Sequence, residues 1–397
     1  MMQSFLQKSR TLLTPSSSYR DLALSSDGFT KAQSPTELFP VTDPAVDGED
    51  CLHDCATCTV HYPNKFSIDE EDELYGFVKG WDTHMVVATG KTDWVRDVTE
   101  EKGTVMEAVG KVGFEFENGT LMLSASNMPI GECEGEEDGK TRCLLLPKWE
   151  MVDNVRPADV KELLENCVGK GNSFTTPLGA RKEIMVQQSE AQKNLSVEPQ
   201  SNGSEKAEGQ ATPQREEELP DMSGLQTNGS QGNGTVGSST PTAELTPLPS
   251  KFITTPCPHR AIILMCSHRT RDARCGQSAP LLRKEFERQL RPLGLYRDLH
   301  DERPGGVGIY FINHVGGHKY SANVMIYRRQ GRKRDGSDDE VGESPLNKEA
   351  VQGIWLARVR PEDCEGIVKY TVLQGKLVKP QRQLRGGFDR ELGMTSW

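Results

Sequence analysis

The residues best suited to bind a metal include two cysteines in the second half of the chain. Cys266 directly follows residues 261–265, a pronounced run of apolar residues. Such a run predicts a buried strand, and open α/β sheets place their sites at the carboxyl ends of strands. Cys275 stands nine residues later, ahead of a helix that we expect Ser278 and Pro280 to open. A helix N-terminus favours the thiolate, which is the form that binds metals.

Two histidines form a second pair of candidate ligands. His314 and His318 flank Val315-Gly316-Gly317 and follow an apolar strand pattern. Glycines permit the backbone torsions of a tight loop, which can turn two imidazoles toward one point. The two cysteines and the two histidines, each pair at the mouth of a strand, therefore predict one four-ligand metal site.

The spacing of these ligands bears on which metal they bind. Eight residues separate the two cysteines, whereas a structural zinc site usually presents a closely spaced C-x2-4-C knuckle. A 2Fe-2S cluster suits ligand pairs from two separate loops, with thiolates on one iron and imidazoles on the other, as in Rieske centres. The residues alone favour a cluster and leave zinc open.

Other cysteines and histidines offer alternatives. Cys51, Cys55, Cys58 and His61 have the density of a metal site and include a C-x2-C pair. They precede the first predicted strand, whereas a thioredoxin-type pair lies between a strand and the next helix. A second metal or disulfide site and ordinary loop cysteines both stay open. Cys257 is a rival ligand, although it stands at the opposite end of the strand that Cys266 follows.

Charged residues fill the loop between the two candidate cysteine ligands. They could tune a bound cluster or steer an anionic partner, although solvated side chains are the commoner interpretation. These residues are His268, Arg269, Arg271 and Arg274.

The same order of elements is predicted in both halves of the chain. The first half has strands at 83–88, 119–124 and 143–146 and helices at 98–112 and from Pro157. The second half has strands at 261–265, 308–312, 323–327 and 354–359 and helices opened by Ser278 and Pro361. We infer a degenerate duplication of a strand-helix-strand-strand-helix unit, the thioredoxin-like arrangement. Ala88 stands where the second half has Cys266, so we expect no cluster in the first half.

Composition divides the chain into segments. Residues 1–250 carry 21 Lys and Arg against 41 Asp and Glu, whereas residues 251–397 carry 26 against 17. The hydrophobic fraction of 35% is below the usual globular share, so part of the chain is expected to be unstructured. We predict an α/β protein with a disordered arm (1–45), a degenerate thioredoxin-like domain (46–186), a disordered linker (187–250), a second thioredoxin-like domain (251–380) and an unstructured tail (381–397).

Two long motifs resemble those of a known family. Cys266-Ser-His-Arg-Thr-Arg-Asp-Ala-Arg-Cys275-Gly and Asn313-His314-Val-Gly-Gly-His318-Lys-Tyr-Ser-Ala-Asn323 are similar to signatures of the fungal sucrase/ferredoxin-like, or actin patches distal, family. The likeness extends to the segments 83–88 and 355–361, so it covers both ordered regions. The resemblance implies that residues 251–380 form a thioredoxin-like ferredoxin domain. It further implies a 2Fe-2S cluster whose ligands are Cys266, Cys275, His314 and His318.

The resemblance implies one-electron transfer without substrate turnover, so we expect an electron carrier rather than an enzyme, with a role in cellular redox homeostasis. Neutral imidazoles in place of two thiolates should raise the reduction potential above the roughly -400 mV of plant-type ferredoxins. If a ligand imidazole is partly exposed, reduction of the cluster should be accompanied by proton uptake at that imidazole. Two alternatives stay open: a thiol-disulfide oxidoreductase that uses Cys55 and Cys58, and a zinc-stabilised binding module. We find no carboxylate pair that would support a glycosidase.

Targeting features point to the cytoplasm. The N-terminus has no apolar signal core, and the run at 261–265 is far shorter than the roughly 20 residues of a membrane helix. We expect no membrane or nucleic-acid partner. A nuclear location is compatible, and Asp21 and Asp27 weaken a mitochondrial presequence. Trp397 after Ser396 resembles the C-terminal signal for the cytosolic iron-sulfur assembly machinery, although Thr395 stands where that signal has an aliphatic residue. The electron donor and acceptor stay unidentified.

Overall fold

The computed structural model describes residues 29–113, 116, 119–131, 139–176, 178, 251–329 and 348–397. The described residues from 29 to 178 and from 252 to 397 belong to one compact unit. The predicted linker at 187–250, residues 1–28 of the predicted arm and residues 330–347 lie outside the described residues.

The described residues contain twelve strands, all in one mixed sheet. The large sheet and its helices confirm the α/β class. The strands are β1 (Thr30–Lys31), β2 (Thr83–Ala88), β3 (Leu121–Ser126), β4 (Thr141–Leu146), β5 (Glu150–Val155), β6 (Ile253–Pro256), β7 (Ala261–Cys266), β8 (Val307–Ile312), β9 (Val324–Arg328), β10 (Gln352–Leu356), β11 (Leu384–Asp389) and β12 (Met394–Thr395). Their order in the sheet is β1-β12-β11-β10-β9-β7-β8-β3-β2-β4-β5-β6.

Most helices in the described part of the chain are short. The α-helices are α1 (Pro35–Leu38), α2 (Pro44–Asp47), α3 (Val105–Val112), α4 (Val160–Leu163), α5 (Ala273–Leu290), α6 (Cys364–Gly366) and α7 (Pro380–Gln383). Single 3-10 turns lie at Glu49–Leu52, Val98–Glu100, Pro157–Asp159, His318–Tyr320 and Pro361–Asp363, and π-helical turns at Leu164–Val168 and Ile367–Val372. None of the described helices has the length and apolarity to cross a membrane.

Both halves arrange four strands in the same way. Each half pairs its first two strands in parallel, β2 with β3 and β7 with β8, and adds two antiparallel strands on the other side. The equivalent edge strands β3 and β8 then meet antiparallel at Ser126 and Ile312. The halves are therefore related by an approximate two-fold axis. They share one sheet, and the thioredoxin-like character of each half stays a prediction.

The sheet has a buried core on each face, because alternate residues of a strand point to opposite sides. Ile263 of β7 belongs to the core that includes Leu282 and Phe286 of α5. Ile262 belongs to the opposite core, which is rich in aromatic residues and includes Trp81. Full burial of one such aliphatic or aromatic side chain stabilises the fold by about 1.5–3 kcal/mol. The strand that leads to Cys266 is therefore held rigidly.

The helix after β7 begins earlier than the sequence predicts. Asp272 caps it, because its carboxylate accepts a hydrogen bond of 2.9 Å from the backbone N–H of Arg274. The expected start at Ser278 and Pro280 is wrong, since both lie inside α5. Proline is typical of a first helical position, but Pro280 lies within the helix and the Asp272 cap sets its start.

Two segments that we expected to lack structure are partly ordered. Residues 29–45 of the predicted arm contain α1, and Leu38 and Phe39 are fully buried. The predicted C-terminal tail contains β11, which is buried along its length, and β12, which pairs with β1 and β11. The expectation of disorder is therefore wrong for these residues.

Candidate metal centre

The two candidate cysteine ligands come from a strand and from the helix that follows it. Cys266 is the last residue of β7, which lies between β8 and β9 in the sheet. Cys275 lies in the first turn of α5, just after the Asp272 cap. Both cysteines are buried, with exposed fractions of 2% and 0%. The strand end and the helix start therefore present both thiols at the carboxyl edge of the sheet, with Cys275 inside the helix rather than ahead of it.

The two candidate histidine ligands come from the loop after β8. Gly316 and Gly317 between them have φ angles of 89° and 71°, in the left-handed region that glycine adopts without strain. His318 then begins a single 3-10 turn. The glycines thus allow the sharp turn that brings both imidazoles back toward the cysteines.

Three of the four predicted ligands converge. The Sγ atoms of Cys266 and Cys275 and one ring nitrogen of His314 all lie within 4.8 Å of one another. Cys266 Sγ is 3.8 Å from Nδ1 of His314. The fourth, His318, lies beside this group, with its Nδ1 3.4 Å from Nε2 of His314. Among the described residues, this is the one group of three or more such side chains that converges so closely.

The two thiols have different electrostatic surroundings. A hydrogen bond from the Cys266 thiol lowers the pKa of Cys275, and the Ser321 hydroxyl, 3.4 Å away, works in the same direction. The same hydrogen bond and burial raise the pKa of Cys266. Cys275 is therefore the thiol that more readily becomes a thiolate in the metal-free site.

Comparison with known proteins identifies a family. Residues 74–386, more than half of the chain, match the family described as Sucrase/ferredoxin-like. The chain belongs to this family. It is 43% identical over 104 residues to Actin patches distal protein 1 of Saccharomyces cerevisiae, a match that covers 26% of this chain and 27% of that protein.

More distant relatives match segments of similar length. Altered inheritance of mitochondria protein 32 of Clavispora lusitaniae is 34% identical over 109 residues, which is 28% of this chain and 29% of that protein. The protein of the same name from Meyerozyma guilliermondii is 32% identical over 110 residues, again 28% and 29% of the two chains. The chain therefore spans less than a third of these curated relatives. No solved structure matches it.

In this sucrase/ferredoxin-like protein, His268 supports the ligand loop rather than lying in solvent. Its Nε2–H donates to the Trp94 carbonyl at 3.0 Å, and its Nδ1 accepts the backbone N–H of His314 at 3.2 Å. The ring is 1% exposed. Trp94 belongs to the first half, so His268 connects that half to the candidate histidine ligands. Arg269 and Arg271 are exposed, as the solvated interpretation expects.

Sequence reasoning missed Arg385 of β11. Its guanidinium donates to the Gly316 carbonyl at 3.1 Å and to Asn323 Oδ1 at 2.8 Å. Asn323 in turn donates to the Gly317 carbonyl at 2.9 Å. Arg385 and Asn323 therefore hold the loop between the two histidines. No local sequence pattern around Arg385, within the predicted tail, indicates this role. Asn323, in contrast, is the last residue of the motif that contains both histidines.

The alternative cysteines do not join this group. Cys257 precedes β7 by several residues and is buried at the end of that strand opposite to Cys266. Cys51 and Cys55 are buried, Cys58 is half-buried and His61 is exposed. Within the described residues these four do not converge as the Cys266 group does.

Proposed function

We propose that this chain is a one-electron transfer protein that holds a 2Fe-2S cluster through Cys266, Cys275, His314 and His318. The observation that carries the proposal is the convergence of both thiols and an imidazole within 4.8 Å, with His318 beside them. The family's description as ferredoxin-like supports it. The protein would act in cellular redox homeostasis as a carrier, without substrate turnover.

The donor set fits such a cluster. Thiolates are the usual ligands of iron-sulfur clusters, and histidine pairs replace cysteine pairs on one iron of Rieske centres. When bound, the cluster accepts and releases single electrons. The protein's part is to keep Cys266 and Cys275 away from water while it presents His318, whose side chain is 46% exposed, to solvent. This exposure supports proton coupling, because a surface imidazole can exchange a proton with water.

We also propose that each half is a thioredoxin-like unit, the first degenerate and the second ferredoxin-like. The repeated order and sense of four strands support this. Ala88 pairs with Ser126 in the first half as Cys266 pairs with Ile312 in the second. The first half therefore lacks a thiol at the position equivalent to Cys266.

We place the protein in the cytoplasm, with separate redox proteins as electron donor and acceptor. We also propose that its C-terminal Trp397 is read by the cytosolic iron-sulfur assembly machinery. The indole ring packs against Trp81, with ring centroids 4.6 Å apart. Recognition would therefore require the last residues to leave the body of the protein before the cluster is inserted.

The decisive experiment is anaerobic purification followed by analysis of iron and acid-labile sulfide. The wild-type protein should be reddish-brown and contain both elements. Cys266→Ser should lose the cluster, whereas Cys257→Ser, a buried cysteine at the other end of β7, should keep it. His318→Cys should keep it at a lower potential, because an anionic ligand replaces a neutral one. A loaded Cys266→Ser protein of unchanged potential would refute the assignment.

A single zinc ion is the second candidate. The 3.8 Å between Cys266 Sγ and Nδ1 of His314 suits two ligands of one tetrahedral ion. A colourless protein with about one equivalent of zinc and no sulfide would favour this zinc-stabilised module. It would leave electron transfer without support.

A further inference from the structure

Cys55 and Cys58 lie at the two ends of a β-turn. The backbone N–H of Cys58 donates to the carbonyl of Cys55 at 3.3 Å. A turn of this kind brings its first and last Cα atoms within about 7 Å. A disulfide bond needs a Cα separation of about 4.4–6.8 Å. The backbone therefore already has the form that an intramolecular disulfide requires, although both cysteines are free thiols.

Cys55 has cationic and amide donors at its sulfur. Arg288 of α5 donates from Nη2 to Cys55 Sγ at 3.3 Å, and Gln289 donates from Nε2 at 3.6 Å. Hydrogen bonds from a cation stabilise a thiolate more than a neutral thiol. Cys55 is 8% exposed and the Arg288 side chain beside it is 41% exposed, so this end of the turn borders solvent. Cys55 therefore has the surroundings of an attacking thiol.

Cys58 has a buried carboxylate beside it. Glu285 of α5 has a fully buried side chain and receives hydrogen bonds from Arg288 and Gln289. Burial works to raise the pKa of Glu285, but these donors and the Cys58 thiol lower it overall. Burial, with the Glu285 charge contributing, raises the pKa of Cys58. Cys58 thus stays protonated beside an ionised carboxylate that can accept its proton.

We propose that Cys55 and Cys58 form a redox-active dithiol that reduces a small disulfide of the oxidised glutathione class. The Cys55 thiolate attacks one sulfur of the disulfide, which forms a mixed disulfide and releases the other sulfur as a thiolate that takes its proton from water. Cys58 then gives its proton to Glu285 and attacks the Cys55 sulfur. The second thiol leaves with that proton. Two electrons pass from the pair to the substrate, and the protein is left with a Cys55–Cys58 disulfide.

This site is separate from the metal centre. Both cysteines pack near Glu285, Arg288 and Gln289 in the second half of α5, whereas Cys275 lies in its first turn. The 13 residues from Cys275 to Arg288 correspond to about 20 Å along a helix. The dithiol can therefore be tested while the metal centre stays loaded, and the inference does not depend on which metal is bound.

The test uses the full chain with its metal centre loaded, under anaerobic conditions, with oxidised glutathione as the probe. Alkylation of the remaining thiols and peptide mass spectrometry then locate each product. The wild type should form the Cys55–Cys58 disulfide while the visible absorption of the centre stays constant. Cys58→Ser should accumulate a glutathione adduct on Cys55. Cys55→Ser should form the adduct on Cys58 several-fold more slowly, because the Arg288 and Gln289 donors contact the Cys55 sulfur.

A paired helix variant tests the activation of Cys55. Arg288→Gln should slow adduct formation on Cys55 several-fold. Arg291→Gln is the matched control, because Arg291 pairs with Glu287 on the same helix and not with a cysteine. A folded wild-type protein that forms no Cys55–Cys58 disulfide would overturn the proposal. Equal adduct rates on the two cysteines, or in the two arginine variants, would also overturn it.

Discussion

Arg385 is an arginine buried without a carboxylate partner among the described residues. It is 6% exposed, and burial lowers its pKa to about 10. Neutral groups hold its charge: the Gly316 carbonyl, the amide oxygen of Asn323 and the ring of Trp355, whose centroid lies 4.3 Å from Cζ. A buried charge is costly unless such groups compensate it. The buried Arg385 charge is explained by its position behind the histidine loop, which its hydrogen bonds hold in place.

We expect Arg385→Ala to destabilise the protein by about 2–3 kcal/mol, because buried acceptors lose their donor and packing is lost. The loop between the histidines should loosen, and the protein should retain less metal. Urea unfolding and metal content check both effects. Arg303→Ala is the control, since Arg303 is 76% exposed and its ion pair with Asp301 lies in solvent, so its stability should stay close to that of the wild type. Equal losses in the two variants would contradict the role of Arg385.

At the scale of elements, the two glycines of the histidine loop serve different purposes. Gly316 and Gly317 both have positive φ angles. A Cβ on Gly316 would meet open space, whereas a Cβ on Gly317 would lie 2.6 Å from the Arg385 guanidinium. Gly316 is thus required for its torsions alone. Gly317 is required for its torsions and for the close approach of Arg385.

These two positions give a matched pair of variants. Gly316→Ala should cost about 1–2 kcal/mol, the strain of a left-handed alanine. Gly317→Ala should cost more and should also speed metal loss, because Arg385 must move. The rate at which a chelator bleaches the visible absorption measures this loss. Indistinguishable rates in the two variants would mean that Arg385 does not position the loop.

The sequence predicts elements where hydrophobic patterning is strong. The strand at Thr83–Ala88 is confirmed, and β7 is found one residue longer than expected. The sequence does not predict β11, because paired glycines are typical of turns. Gly386 and Gly387 instead allow close packing: a Cβ on Gly386 would collide with Ser396, and one on Gly387 with the Gly353 carbonyl. Close approach between distant segments leaves no local pattern from which it could be predicted.

In the candidate site, too, some residues can be predicted from the sequence and others cannot. Residue type and spacing suffice to propose Cys266 and His314 as candidate ligands, because metal ligands belong to few chemical classes. The groups that hold them come from far along the chain: Trp94 from the first half and Arg385 from the last strand. Their roles depend on long-range pairing, so a single sequence could not predict them.

At the scale of the whole molecule, the C-terminal Trp397 packs against the aromatic core that includes Trp81. Trp397 packs on Trp81, which also meets Trp355 at 5.6 Å between ring centroids. Trp81 precedes β2 and Trp355 lies in β10, so the last residue joins elements from both halves. The C-terminal residue therefore has a packing role whether or not another protein reads it.

Trp397→Ala should lower the free energy of unfolding by about 2 kcal/mol, the share expected for a half-buried aromatic. Trp397→Phe should retain most of the stability. Iron per chain, measured after expression in cells, distinguishes loss of iron through lower stability from loss of iron through lost recognition by the assembly machinery. A recognition role predicts that Trp397→Ala loses more iron than another variant of equal stability. Phe77→Ala is the control for a nearby aromatic, since Phe77 is 72% exposed.

A buried histidine also joins the two halves. His84 of β2 lies 2.8 Å through Nδ1 from the Tyr327 hydroxyl of β9, and 2.9 Å through Nε2 from Ser124 Oγ. Both ring nitrogens have partners, and burial lowers the pKa of His84 to about 3. His259 is also buried, and its pKa is lowered to about 4. The folded protein therefore keeps both rings neutral at pH values where an unfolded chain protonates them.

Acid should consequently destabilise the fold. Below about pH 6.5 His84 becomes protonated in the unfolded state but stays neutral in the folded state. The free energy of unfolding therefore falls as the pH falls. Each such histidine contributes about 1.4 kcal/mol per pH unit, until the pH reaches its folded pKa. Between pH 6 and pH 5, most carboxylates are still ionised and the histidines dominate the slope.

Urea unfolding at pH 5, 6 and 7.5 tests this for His84. His84→Gln should lose stability at pH 7.5, because the bonds to Tyr327 and Ser124 are altered, but its stability should fall less steeply toward pH 5. The difference between wild type and variant should therefore shrink by about 1 kcal/mol between pH 6 and pH 5. His61→Gln, at an exposed histidine outside this contact, is the control variant. Parallel pH profiles for wild type and His84→Gln would show that His84 takes up its proton without cost in the folded protein, and that the contact between the halves tolerates a charge.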